Sequence, residues 1–158
     1  MPIYLQHDSI PGEATHQDHV GWWDIESLHW NVSRNMNTQA GSSANREASE
    51  PVISEVIVTK VTDSSSVGIF KETCTGNIGK TVVIDLVTTG NPGQQYTKYI
   101  LSNTLLAGYS VDTSGDRPIE TIRLNFTHIE QKFTPYKTDG SADSPKLFSY
   151  DLATAVGS

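Results

Sequence analysis

Five histidines and a single cysteine are the side chains of this 158-residue chain best suited to chemistry. His16 and His19 flank Gln17 and Asp18, so two imidazoles and a carboxylate, all of metal-ligand type, fall within one short stretch. That His-x-x-His lies in turn-rich sequence after Pro11 and Gly12 and lacks the helical i,i+4 spacing of zinc-protease motifs. His7, His16, His19, His29 and His128 therefore read as exposed polar side chains, and no metal centre is expected. Cys74 with a distant histidine would be a nucleophile pattern. It falls on the apolar face of a predicted helix, where a free cysteine reads as a small buried hydrophobe. Asp24/Glu26 and Glu13/Asp18 read as solvated charges rather than acid–base dyads. The chain has no GxGxxG, Walker A or GxSxG pattern, and the glycine pair Gly76 and Gly79 is too short to cradle a phosphate. The expectation is a protein that is not an enzyme, with no catalytic residue and no cofactor.

Composition narrows the partners. Eighteen acidic against 11 basic residues give a net charge of −7, which disfavours nucleic acid, whose backbone needs a basic surface. No stretch approaches the ~18 consecutive apolar residues of a membrane span, so membrane insertion is not expected. The N-terminal residues show neither a basic segment nor an apolar run of signal-peptide length, so the chain reads as made without a classical export signal. One cysteine excludes an internal disulfide framework. The length fits a single domain spanning 1–158.

The elements that position these residues are mostly strands. Ile3–Gln6 is a short opening strand, and 21–30 a second, with Trp22, Leu28 and Trp30 on one parity and Trp23 and Ile25 on the other. That pattern predicts a strand covered on both sides. Residues 31–50 are small and polar, a long extended loop or arm, since structureless loops beyond about 12–15 residues are uncommon inside compact domains unless functional or disordered. Residues 51–62 are β-branched and predict one strand. Asp63 or one of Ser64–Ser66 then caps a short helix with Val67, Phe70 and Cys74 on its buried face, closed by Gly76 in a left-handed conformation. On that reading Phe70→Ala costs roughly 3–5 kcal/mol. Residues 80–89 and 95–106 form neighbouring strands, with Tyr99, Leu101 and Leu105 sharing a face. Residues 119–133 alternate cleanly but slip phase near Thr127, where a β-bulge is expected. The fold class is mainly β: a barrel or sandwich of two sheets with one short flanking α-helix.

The order of short motifs resembles a known family. Gly12-Glu13, then Trp23-Asp24-Ile25 and Leu28-His29-Trp30, are similar to the opening of the haemolysin-coregulated proteins, tail-tube subunits of the type VI secretion system. Asp63 to Ile69 with Cys74 and Gly76 looks like the family's capped helix. Glu120, Leu124 and Phe126 resemble its later strand, and Tyr136 with Asp139-Gly140 the turn beyond. The departures are Gly41 as the only glycine in a loop that is glycine-rich in many relatives, and Val67 where the helix start carries proline.

The resemblance implies a ring-forming subunit of the secretion inner tube, six copies to a ring, released through the apparatus from the bacterial cytoplasm. It implies partners: further copies of the chain, sheath and spike proteins, and effectors carried in the lumen. His29 is then expected to touch cargo from a lumenal strand. The long loop, with Arg34, Asn35, Asn37, Gln39, Arg46 and Glu47, is expected to contact a neighbouring subunit or ring. A different reading remains open at this stage: a monomeric β-sandwich carbohydrate-binding module that uses Trp22, Trp23 and Trp30 as a stacking platform. The plainer role of those tryptophans is as core or interface anchors.

Overall fold

The computed structural model describes residues 1–38, 40–41, 47–90 and 93–158, with the backbone alone at position 47. The chain opens with β1 (Ile3–His7), β2 (Trp23–Ile25) and β3 (Ser27–His29). Four short strands follow: β4 (Val32–Ser33), β5 (Met36–Asn37), β6 (Glu47–Ala48) and β7 (Val52–Ile53). Then come β8 (Val56–Val61), the helix α1 (Ser66–Thr75), β9 (Lys80–Val87) and β10 (Gln95–Asp112). The chain ends with β11 (Ile119–Asn125), β12 (His128–Phe133), β13 (Lys146–Asp151) and β14 (Val156–Gly157).

The strands close into a barrel. Every pairing is antiparallel, and the wall runs β1–β9–β10–β11–β8–β3. β2, directly before β3, pairs back onto β1, so the circuit is complete. Closure removes the exposed edges that an open sheet would offer to other chains. The 18-residue β10 runs past the barrel, and its first half carries β12, β13 and β14 as a flange.

Alternation explains the core, once its slips are located. Along β8, Val56 and Val58 point inward; Val82 and Ile84 of β9, Leu101 of β10 and Ile122 and Leu124 of β11 meet them. In β10 the inward set changes phase at Asn103, whose φ is 53°, so Leu106 is buried and Leu105 is 36% exposed. This corrects the expected grouping of Leu105 with Tyr99 and Leu101. The 21–30 segment slips at Glu26 in the same way: Trp23 and Ile25 point in, then Leu28 and Trp30. The slip accounts for Leu28 and Trp30, whereas Trp22, before it and on the opposite parity from Trp23, packs into a separate small cluster and Asp24 on that face is exposed. Between β11 and β12 the predicted slip occurs as a break at Phe126 and Thr127, with Thr127 N–H donating to Ser102 O at 3.2 Å.

The helix is where it was expected but turned the other way. Ile69 is fully buried and Ser66 nearly so, whereas Val67 is 79% and Phe70 59% exposed, and Cys74 is exposed. Phe70 lies against Tyr109, with ring centroids 6.3 Å apart, at the surface. Asp63 organises the helix start from just outside it: its carboxylate accepts the Ser65 amide at 2.8 Å, and its own N–H donates to Ser66 Oγ at 3.1 Å. Gly76 ends the helix in extended backbone (φ −69°, ψ 124°), not in the left-handed region, and its N–H donates to Glu72 O at 2.8 Å.

Candidate assembly surfaces

The polar stretch after Trp30 is a β-arm paired with itself. β4 pairs β7 and β5 pairs β6, so the chain runs out and returns as a narrow two-stranded ribbon. Between the ladders Asn35 N–H donates to Ser49 Oγ at 3.0 Å and Ser49 N–H to Asn35 O at 2.9 Å. At its base Asn31 N–H donates to Ser54 Oγ at 2.8 Å, and Ser54 N–H returns to Asn31 O at 2.9 Å. The Ser49 and Ser54 hydroxyls, uninformative as strand formers, stitch the ribbon to the backbone of Asn35 and Asn31 where ladder bonds lapse. Arg34, Asn35 and Asn37 are exposed on it. Gln39 and Arg46 lie outside the described residues, and Glu47 is placed by its backbone register opposite Asn37. The break at Ser54 and Glu55 also divides the single strand expected over 51–62 into β7 and β8.

The arm base and the flange enclose an apolar cleft of about 510 Å³. Trp30, Val32, Met36 and Ile53 line one side and Ile129, Phe148 and Tyr150 the other, with Arg34 at the rim. Trp30 packs edge-on against Tyr99 at 5.7 Å, which fixes the floor. Val32, Met36 and Phe148 remain 50–57% exposed. A second apolar surface is the outer helix face, where Val67, Phe70 and, just beyond the helix, Ile78 are exposed. Apolar surface of this kind marks interaction sites more often than it serves a monomer.

His29 is exposed on β3, opposite Ile57, between Leu28 and Trp30, which pack on the core. The three tryptophans are not one platform. Trp23 is fully buried and donates its indole N–H to Ile10 O at 2.9 Å; Trp22 packs in a small cluster with Tyr4, Ala14 and Val87; Trp30 lies in the cleft. The stacking surface on which a carbohydrate module would depend is therefore not formed.

Two buried polar assemblies were not read from the sequence. Lys60 and Glu120 face into the barrel end with no exposed surface, their charges 3.3 Å apart. Lys60 also reaches Asp63 at 2.8 Å, and Tyr109 donates its hydroxyl to Glu120 at 3.0 Å. The network ties β8, β11 and β10 to the helix start. Burial raises Tyr109, and the bond and charge of Glu120 add to it, pushing it up to about 12. Asp63 feels burial upward, but hydrogen bonds from Lys60 and Ser65 prevail and hold it below the ordinary 3.8. The second assembly corrects the reading of the histidines as exposed: His7 and His19 are 5% and 4% exposed. His7 stacks parallel to Trp23 at 5.9 Å, and burial lowers its pKa. His19 donates from Nε2 to Asp85 at 2.9 Å. Lysine and glutamate at inward strand positions, and an aspartate in β9, were the available signals. Alternation with Val56 and Val58 marks Lys60 as inward, and with Ile122 and Leu124 marks Glu120 so, whereas Asp85 lies on the opposite parity to Val82 and Ile84.

Comparison with known proteins then decides the family. The model of the type VI secretion system effector Hcp matches residues 4–133. The chain belongs to the Hcp family. Solved structures share its fold: a type VI secretion system protein, at 20% identity, covers 99% of each chain with a TM-score of 0.90. Hcp1 from Salmonella typhimurium, 22% identical, covers 97% of this chain and 95% of its own with a TM-score of 0.77. A type VI secretion system effector from Yersinia pestis, 19% identical, covers 94% and 98% with a TM-score of 0.75. No curated protein matches the sequence. Among the described residues of this Hcp chain, no helix is long and apolar enough to cross a membrane.

Proposed function

We propose that this Hcp chain is a structural, non-catalytic subunit that assembles into rings, six copies to a ring, and that the rings stack as the inner tube of a type VI secretion apparatus. The observation that carries the reading is the pair of apolar surfaces left by a closed barrel, the arm–flange cleft and the outer helix face, in a chain of this family. Distinct surfaces that meet between copies form a heterologous interface, and such an interface closes into a ring when the rotation per copy allows it. The arm, with Arg34, Asn35 and Asn37 exposed, is assigned to a neighbouring subunit or the next ring, with Gln39, Arg46 and Glu47 continuing it along the sequence. His29 is assigned to the lumen wall, where cargo effectors would touch it. Sheath and spike proteins are the further partners of such a tube. Release through the apparatus, from the cytoplasm to the outside or into a target cell, is the matching route.

The experiment is mass determination in solution. Size-exclusion chromatography with light scattering should give six times 17.3 kDa for the full chain. A clean 17.3 kDa species at micromolar concentration contradicts the ring.

A further inference from the structure

We propose that the turn holding His16 and His19 binds a divalent transition-metal ion through Nδ1 of both histidines. The two nitrogens face each other at 2.9 Å. Their hydrogen bonds define what lies between them. His19 donates from Nε2 to Asp85 Oδ2 at 2.9 Å, which leaves its Nδ1 as a lone pair when the ring is neutral. His16 Nδ1 accepts the Asp18 amide at 3.3 Å, so it too presents a lone pair. A proton on His19 Nδ1 would join the pair in an ordinary N–H···N bond, and a metal ion that displaces that proton would take both nitrogens as ligands.

The surroundings are those of a ligand site. A metal-binding histidine usually donates its second ring nitrogen to a carboxylate, which fixes the tautomer and raises ligand basicity. Asp85, 4% exposed, fills that role for His19. The His19 ring is locked by stacking on Tyr4 at 4.5 Å and by the edge of Trp22 at 4.6 Å. Backbone bonds Gly12 N–H to Gly21 O (2.7 Å) and His19 N–H to His16 O (2.9 Å) shape the turn. A β-carbon at Gly12 would overlap the Trp22 carbonyl. Tetrahedral ligands at about 2.0–2.1 Å stand roughly 3.3 Å apart, so the pair needs to open by only a few tenths of an ångström. His16 is half-exposed and can move that far at the expense of its long bond to Asp18. Lys98, 3.8 Å from Asp85, is the opposing charge. Among the described residues no third histidine, cysteine or carboxylate converges, so water or another copy completes the shell. Imidazole nitrogen suits Zn²⁺, Cu²⁺ and Ni²⁺.

Zinc chloride titrated into the full chain by calorimetry, in a non-coordinating buffer, tests the site. The wild type should bind one ion per chain. His16→Gln, on the surface, should weaken binding by at least about 10-fold, and Asp85→Asn by about 10–100-fold. His29→Gln and His128→Gln should bind as the wild type does. Because Asp85 is buried and its variant can misfold, imidazole ¹H–¹⁵N spectra of the wild type provide a second readout. Zinc should move Nδ1 of His16 and His19 and leave His7, His29 and His128 in place. Unchanged binding in His16→Gln, shifts at the other histidines instead, or no saturable binding would each overturn the proposal.

Discussion

Single side chains decide how the barrel end and the helix are held. Truncating Ile69, fully buried beneath the helix, should cost about 2–5 kcal/mol, whereas Phe70→Ala at the surface should cost under about 1 kcal/mol. Urea midpoints of the two variants check this reversal of the sequence-based expectation. Lys60→Ala leaves Glu120 buried without its cation and should destabilise by about 3–5 kcal/mol. Acid stability should fall in two stages. His7 titrates below its ordinary 6.5 in the folded protein, so its contribution is complete above pH 6.5 and is lost as pH falls through the folded value. Asp63 titrates below 3.8, so its contribution is complete above that pH and disappears at lower pH. Urea midpoints followed from neutral to acid should lose the first stage in His7→Gln and the second in Asp63→Asn. An unaltered acid profile in either variant contradicts the corresponding assignment.

At the scale of elements, legibility in the sequence followed local periodicity. β8 was readable because it is β-branched almost throughout, and β9 and β11 because Val82 and Ile84, and Ile122 and Leu124, recur at every second position. The helix was readable in place but not in rotation. Val67, Phe70 and Cys74 form an apolar stripe, yet Ile69 and Ser66 face the barrel, because an exposed apolar stripe has the same period as one that faces the core. β10 and the 21–30 segment misled where Asn103 and Glu26 shift the phase, since a slip of one residue reverses every later side chain. The arm was legible as a long extended segment but not as a self-paired ribbon. Its short ladders are held by Asn35, Ser49 and Ser54, residues that carry no strand signal. The His19–Asp85 contact spans 66 positions of sequence and could not be read locally. Deletion of residues 34–49 should leave the barrel folded, with an unfolding transition like that of the full chain, and abolish stacking of rings in electron micrographs. Undiminished stacking contradicts the arm's assigned role.

For the whole molecule, closure of the barrel and the flange beyond it turn the question from chemistry to assembly. The barrel wall satisfies its own edges, and among the described residues the cleft beneath the arm, the arm itself and the outer helix face are exposed. The family match and the shared fold agree with a protein whose work lies in contacts between copies. Substituting Phe148→Glu in the cleft places a charge on that apolar surface and should reduce ring formation while leaving far-UV circular dichroism unchanged. The most direct test is the mass of the unmodified chain in solution, by light scattering across a micromolar concentration series. The account predicts a species of six times 17.3 kDa that persists on dilution, and a lone 17.3 kDa monomer throughout the series would contradict it.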